Sequence, residues 1–328
     1  MDAGGHFGEA GVRAVRDVAT GVRLVEIEPA AGARPYPTGA HLDIAVTIGG
    51  LPDIRSYSLV GAGPSAGAYA IAVKKLRDSR GGSAFVHTLQ PGAELLVSEP
   101  QSHFEIQYGR PEYLLVAGGI GITPVVGMAH ALARHGRPFR LLYAGRTRAG
   151  MPFVDELAEL LGDRLELFVS ERGNRLDLSA EIDRLHPEGE LYLCGPLRLM
   201  DAAHRTWREQ GRPKTHLRFE TFASGGRFAT EPFAVRVHEH GKTVEVLENQ
   251  TMLAALRAAG VDMMWDCLRG ECGVCTVTVL EVEGELDHRD VFLSEDEQAE
   301  GQALCTCVSR AVGGAITIDT GFRPDASA

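Results

Sequence analysis

Cys267, Cys272 and Cys275 stand in the run Trp-Asp-Cys-Leu-Arg-Gly-Glu-Cys-Gly-Val-Cys, and Cys305 and Cys307 follow about thirty residues later. Four thiolates are needed to hold two irons, and a C-x4-C-x2-C loop followed by a distant cysteine is the spacing that brings three of them together from one turn of chain. A loop folded over sulfur also needs left-handed backbone positions and N–H groups aimed at the thiolates, which Gly270 and Gly273 fit. The chemistry implied is one-electron transfer through an all-cysteine 2Fe-2S cluster, with Cys267, Cys272, Cys275 and one of the final pair as ligands.

Other uses of these thiols fit less well. A four-cysteine zinc site usually reads as two C-x2-C pairs, and this stretch has one. Disulfides need an oxidising compartment, whereas Met1-Asp2-Ala3-Gly4-Gly5-His6 shows no basic segment leading into an apolar one, so reduced thiols and a cytoplasmic protein are expected. A Rieske centre needs two histidine ligands paired with cysteines, and Cys-x-His does not occur in the chain.

The cysteine motif fills only the last third of 328 residues, so two or three domains are expected. No apolar run is long enough to span a bilayer, and no basic block suggests nucleic acid or an anionic membrane. The net charge of -11 is unevenly placed. From Glu231 onward there are 18 acidic against 7 basic residues, while residues 1–230 hold 26 of each. An acidic electron carrier joined to a neutral body suggests steering toward a partner with a positive face, although any single carboxylate is ordinarily just a solvated surface group.

Upstream, Tyr113-Leu-Leu-Val-Ala-Gly-Gly-Ile-Gly-Ile-Thr-Pro124 reads as a strand, a glycine-rich turn and the start of a helix that continues through Val125 to Arg134. Gly118, Gly119 and Gly121 let backbone approach a pyrophosphate, and the following helix start supplies N–H groups. Arg140 to Arg148, Leu165 to Ser170 and Glu190 to Pro196 read as further buried strands, giving a parallel sheet whose carboxyl edge gathers Gly118, Gly119, Gly121, Thr123, Arg146, Cys194 and Gly195. A cysteine such as Cys194 is more often a buried small hydrophobe, but its place before Gly195-Pro196 at a strand end sets it near a ligand. The first hundred residues are turn-rich, with strand patterns at 22–28, 41–48, 69–74 and 94–98, and read as a small antiparallel barrel. Within it, Arg55-Ser56-Tyr57-Ser58 and Arg80-Gly81-Gly82-Ser83 offer guanidinium forks, glycine N–H groups and a flat aromatic, which suit a phosphate-bearing cofactor.

Taken in order, these motifs resemble the phthalate dioxygenase reductase family, the reductase components of bacterial two-component oxygenases and demethylases, vanillate demethylase reductase among them. The resemblance covers nearly the whole chain, excepting the residues before Arg13. It implies an antiparallel β-barrel flavin domain (1–105), an α/β parallel-sheet NAD(P)-binding domain (106–224) and an α+β β-grasp ferredoxin domain (225–328), with Ser224-Gly225-Gly226-Arg227 as a linker. It implies FMN, with Arg55 on the phosphate, Tyr57 on the ring, Ser58 near the reactive ring nitrogen, and Lys74, Arg80, Gly81, Gly82 and Ser83 completing the cradle. Thr123 and Cys194 are expected to border a nicotinamide ring, and Arg146 to meet the adenosine half. With Thr147 and Arg148 beside it a 2′-phosphate also fits, so NADH and NADPH stay open. Leu304-Cys305-Thr306-Cys307-Val308 resembles the last-ligand segment of plant-type ferredoxins, which aligns Cys307 with the fourth ligand and leaves Cys305 as a buried free thiol.

The activity implied is hydride transfer from NAD(P)H to flavin, followed by single-electron exits through the cluster to a partner oxygenase, either a Rieske non-haem iron enzyme or a haem-thiolate monooxygenase. Positioning, with Ser58, Thr123 and Cys194 at the reacting centre, matters more in such a reaction than an acid or base. A monomer without nucleic-acid or membrane partners is expected, and the ferredoxin segment is expected to move between flavin and oxygenase. The alternative function is a flavin and iron–sulfur redox sensor, but sensors carry an output module and every segment here is already assigned.

Overall fold

The structure is a computed structural model that describes residues 7–48, 50–76, 81–222, 228, 230–248 and 250–322; Arg80 and the linker at 224–227 lie outside the described residues. The chain divides into two compact units, Met1–Glu220 and Thr221–Ala328.

The first unit opens with a six-stranded antiparallel sheet made of β1 (Phe7–Ala19), β2 (Val22–Pro29), β3 (His41–Ile48), β4 (Leu51–Ser58), β5 (Tyr69–Lys74) and β6 (Glu94–Ser98), with one short helix, α1 (Gly82–Thr88). The strands run in the order β4-β3-β6-β1-β2-β5, and a bridge from Leu59 to Ile71 brings the two edges together, so the sheet is barrel-like. Strand β1 begins ahead of Arg13, in a stretch that matches no motif. It carries Gly8 and Gly11 and few β-branched residues, yet it pairs with both β2 and β6, so its conformation comes from its neighbours. Strand β4 contains Pro52 and pairs only with β3, the edge position that a residue without an N–H tolerates.

A five-stranded parallel sheet follows: β7 (Tyr113–Gly118), β8 (Phe139–Gly145), β9 (Leu165–Val169), β10 (Glu190–Cys194) and β11 (Leu217–Glu220), in the order β11-β10-β7-β8-β9. Helices α2 (Ile122–Arg134), α3 (Val154–Leu161), α4 (Leu178–Asp183) and α5 (Leu197–Glu209) alternate with the strands. Central β7 has no polar face: Tyr113, Leu114, Leu115, Val116 and Ala117 are all fully buried, as a strand covered on both sides must be. Each large apolar side chain so buried contributes about 1.5–3 kcal/mol.

The second unit holds a mixed sheet of β12 (Phe233–Val237), β13 (Lys242–Val246), β14 (Thr276–Asp287), β15 (Ala303–Cys305) and β16 (Arg310–Asp319), with helices α6 (Met252–Ala258) and α7 (Glu295–Glu300). The order is β13-β12-β16-β14-β15, with β12 and β16 parallel and the other pairs antiparallel. Helix α7 starts on a reciprocal cap between Ser294 and Glu297. The cysteine loop spans the connection from α6 to β14, and Cys305 ends β15. Among the described residues no helix is long and apolar enough to cross a membrane.

Candidate functional site

The Arg55-Ser56-Tyr57-Ser58 motif occupies the second half of β4. Arg55 pairs with Asp53 at 2.6 Å, and a Cβ placed on Gly82 would lie 2.9 Å from the Arg55 side chain, so the start of α1 and the guanidinium share one cradle that glycine keeps open. Gly81 has φ +95°, the left-handed region that favours glycine, and Ser83 accepts a hydrogen bond from the Leu76 N–H just beyond Lys74. Lys74 itself is exposed at the end of β5. The Tyr57 hydroxyl is buried without a hydrogen-bond partner among the described residues, and burial pushes it up to about 12. A buried orphan hydroxyl beside a cationic cradle is the arrangement a polar, phosphate-bearing flavin completes.

Ser58 is buried and donates to the Glu220 carboxylate at 2.9 Å. Glu220 ends β11, is 1% exposed, and faces Cys194 across the β10–β11 ladder. No motif singles Glu220 out in the sequence. The signal that could have found it is positional: a carboxylate closing the last strand of a parallel sheet stands where such sheets bind ligands.

The turn after β7 brings Gly118 and Gly121 against the end of β10, with Gly119 and Thr123 in the same turn. A Cβ on Gly121 would sit 2.3 Å from the Cys194 carbonyl oxygen, and one on Gly118 would sit 2.6 Å from Pro196. Gly195 is equally tight, since its Cβ would fall 3.0 Å from the Gly118 Cα. These three glycines serve the mutual approach of two backbone segments. Gly119 differs: it has φ +59° and open space around it, which suits approach by a ligand. The Tyr143 hydroxyl, three residues before Arg146, donates to the Gly119 carbonyl at 3.2 Å. Thr123, 2% exposed, donates to the Ile120 carbonyl at 3.1 Å, and Cys194 is fully buried. Arg146 is exposed just past β8, whereas Thr147 caps the next turn and Arg148 is paired with Asp155 at 2.6 Å.

In the second unit the thiols converge in two groups. Cys267 interacts with Cys272, and Cys275 interacts with both Cys305 and Cys307. Gly270 and Gly273 both have φ +73°, and Leu268 adopts φ +57°, a conformation unusual for a side chain with a Cβ. The turn aims the Arg269 N–H at the Cys267 sulfur, 3.4 Å away. The thiols of Cys305 and Cys307 pull the Cys275 pKa down to about 3, and both are themselves pushed up by that shared bond with Cys275. Among the described residues no three ligating side chains surround a single-ion position. Two thiolates per iron is what a two-iron cluster requires, so the paired sulfurs and the N–H aimed at one of them fit that group.

These features define an electron-transfer reductase in which a nicotinamide site and a flavin cradle share one unit and an iron–sulfur site occupies the other. Comparison with known proteins agrees. Residues 115–205 match the oxidoreductase NAD-binding domain, and residues 235–312 match the 2Fe-2S iron-sulfur cluster binding domain. The solved structure of phthalate dioxygenase reductase, described as a modular structure for electron transfer from pyridine nucleotides to [2Fe-2S], superposes with a TM-score of 0.75 at 31% identity, covering 95% of this chain and 98% of that one. Phenoxybenzoate dioxygenase subunit beta from Ectopseudomonas oleovorans is 38% identical over 88% of this chain and 89% of its own length. An intact type IV self-sufficient cytochrome P450 monooxygenase matches with a TM-score of 0.67 at 35% identity; this chain, 95% covered, spans 41% of that longer one. The chain belongs to the phthalate dioxygenase reductase family. It is an NAD(P)H-dependent reductase of the FMN and 2Fe-2S type, a component of oxygenase systems.

Proposed function

We propose that residues 1–105 bind FMN, residues 106–224 bind NAD(P)H and residues 225–328 carry the cluster on Cys267, Cys272, Cys275 and Cys307. The observation that supports this reading is the gathering of the thiols, Cys267 with Cys272 and Cys275 in one buried cluster with Cys305 and Cys307. Both Cys305 and Cys307 interact with Cys275; Cys307 is favoured because it also interacts with Cys267 and stands where the resemblance to plant-type ferredoxins puts the last ligand.

When bound, FMN takes up hydride as a pair of electrons and gives them up singly, and the cluster carries one at a time. The chain's own part is placement. Arg55 with Gly81, Gly82 and Ser83 holds the phosphate, and Tyr57 covers the ring and gains a partner for its hydroxyl. Because Ser58 spends its proton on Glu220 and Thr123 spends its own on Ile120, both hydroxyl oxygens face the cofactors as acceptors. Cys194 and Pro196 close the carboxyl end of β10 against water, and Arg146 meets the adenosine half.

The acidic second unit is the docking face for an oxygenase with a positive surface, and the reductase works as a cytoplasmic monomer. Both a Rieske non-haem oxygenase and a haem-thiolate monooxygenase remain suitable acceptors, since relatives named for a dioxygenase and for a cytochrome P450 monooxygenase are similar to this chain over most of its length. Anaerobic titration with NADH and then NADPH tests the scheme. The expected result is flavin bleaching followed by a reduced two-iron paramagnetic signal, with FMN released on denaturation. Flavin bleaching with an unreduced cluster would break the proposed path at its second step.

A further inference from the structure

The last ligand segment contains two cysteines in Leu304-Cys305-Thr306-Cys307, and both pack with Cys275 in one buried cluster. Cys305 is fully buried and Cys307 is 3% exposed, so neither thiol has a water-facing alternative. The segment bends between them: the Cys305 carbonyl accepts from the N–H groups of Val308 at 3.3 Å and Ser309 at 3.0 Å. That bend lets residues two apart reach the same sulfur. Thr306 anchors it, its N–H and hydroxyl both donating to the Cys275 carbonyl, at 3.3 and 2.9 Å. Cys275 is therefore tied to this segment through backbone as well as sulfur, and a ligand position beside Cys275 lies within reach of either cysteine. The Cys305 sulfur also meets the Thr276 hydroxyl at 3.4 Å, which is a weak contact to give up.

We infer that Cys305 is a reserve ligand, able to take the iron position beside Cys275 when Cys307 is absent. This rests on the assignment of Cys307 as the resident fourth ligand. In the exchange the Cys305 thiol loses its proton to solvent and its sulfur forms the bond to iron that the Cys307 thiolate otherwise makes, so the total charge of cluster and ligands is unchanged. The geometry of the two sites differs, because Cys305 belongs to β15 and is held opposite Thr276 in the ladder, whereas Cys307 lies in the bend. The exchanged cluster should therefore be spectroscopically distinct.

The experiment compares full-length wild type with C305A, C307A and the double variant C305A/C307A. It measures iron and acid-labile sulfide per chain, visible absorbance, and the paramagnetic resonance of dithionite-reduced protein. Flavin content and NADH-dependent flavin bleaching in the same preparations report on the first unit, and circular dichroism on folding of the second. Wild-type cluster content and an unchanged resonance are expected for C305A. For C307A the expectation is at least half of the wild-type iron and sulfide with altered g-values, and for the double variant near-complete loss of both. A C307A protein that folds, bleaches its flavin and contains no cluster overturns the reserve role while leaving Cys307 as the ligand. A cluster lost in C305A and unperturbed in C307A instead overturns the ligand assignment itself. If C307A does not fold, C307S and C305A/C307S provide the reading: a cluster present in C307S and lost from C305A/C307S supports the exchange, and the same cluster with the same g-values in both overturns it.

Discussion

Replacing Ser58 with alanine removes the hydroxyl that donates to Glu220 at 2.9 Å and leaves a carboxylate that is 1% exposed short of one donor. A hydrogen bond to a charged acceptor contributes about 1.5–3 kcal/mol, more than a neutral pair, because the desolvated charge has no water to replace the lost partner. For a unit of this size a loss of 1 kcal/mol lowers the melting midpoint by about 2–4 °C, so S58A should melt about 3–12 °C below wild type. The assay is thermal release of flavin fluorescence in wild type, S58A, E220Q and the double variant. If the two groups act through each other, the double variant should fall short of the sum of the singles by at least about 1 kcal/mol. The same four proteins in anaerobic stopped flow should show slower flavin reduction by NADH in S58A, since the acceptor oxygen is gone. Additive melting shifts would refute the pairing, and an unchanged reduction rate would refute the placement of Ser58 at the reacting centre.

Tyr57→Phe should leave the flavin-free protein as stable as wild type or slightly more so, because the deleted hydroxyl is buried without a partner, while weakening FMN binding by about 2- to 12-fold, the worth of one neutral hydrogen bond. The same residue predicts alkaline behaviour. Burial pushes Tyr57, like Tyr36, up to about 12, so folding favours the neutral phenol; that stability is complete below the ordinary phenol value of about 10 and is lost as pH rises through 12. Denaturant titrations from pH 9 to 12 should show this decline, and a smaller one in Y57F. Gly121→Ala introduces no backbone strain at φ -60°, yet its Cβ meets the Cys194 carbonyl at 2.3 Å, so overpacking of about 1–3 kcal/mol should lower the melting midpoint and raise KM for NADH. A midpoint equal to wild type would refute the close approach of β7 and β10. Finally, electron delivery to a positively charged acceptor protein should slow severalfold between about 0.02 and 0.5 M salt, as screening shortens the reach of the acidic unit; a salt-independent rate would remove its steering role.

The parts of the fold legible in the sequence are those whose chemistry is local. Strands β3, β5 and β6 begin and end where alternation and turn residues place them, and the turn after β7 announces itself through glycine, threonine and proline in sequence. Strand β1 was illegible because it is held by ladders on both sides and not by its own residues. The glycines were legible as positions needing freedom, but not as to what they approach: only the folded chain reveals that Gly118 and Gly121 make room for Cys194, Gly195 and Pro196. Glu220 was illegible for a related reason. Its meaning comes from Ser58, 162 residues earlier, and no spacing rule reaches that far.

On the proposed placement of Ser58 and Thr123 at the reacting centre, such pairing decides which way their hydroxyls point. Ser58 donates to a carboxylate and Thr123 to a main-chain carbonyl, so each hydroxyl is oriented within the fold and keeps its lone pairs for accepting a hydrogen bond. A hydride carries its own electrons and needs no base to release it, but it does need donor and acceptor held close and in line. Hydroxyls locked as acceptors can align a cofactor N–H without offering a competing proton. Glu220 is then a positioning residue: its work is to fix which way the Ser58 proton points. The cluster loop obeys the same logic with different atoms, since the Arg269 N–H is set toward sulfur by a backbone that Leu268 and Gly270 hold in left-handed conformations. In both units the orientation is built into the fold, and the electrons move through groups already in place.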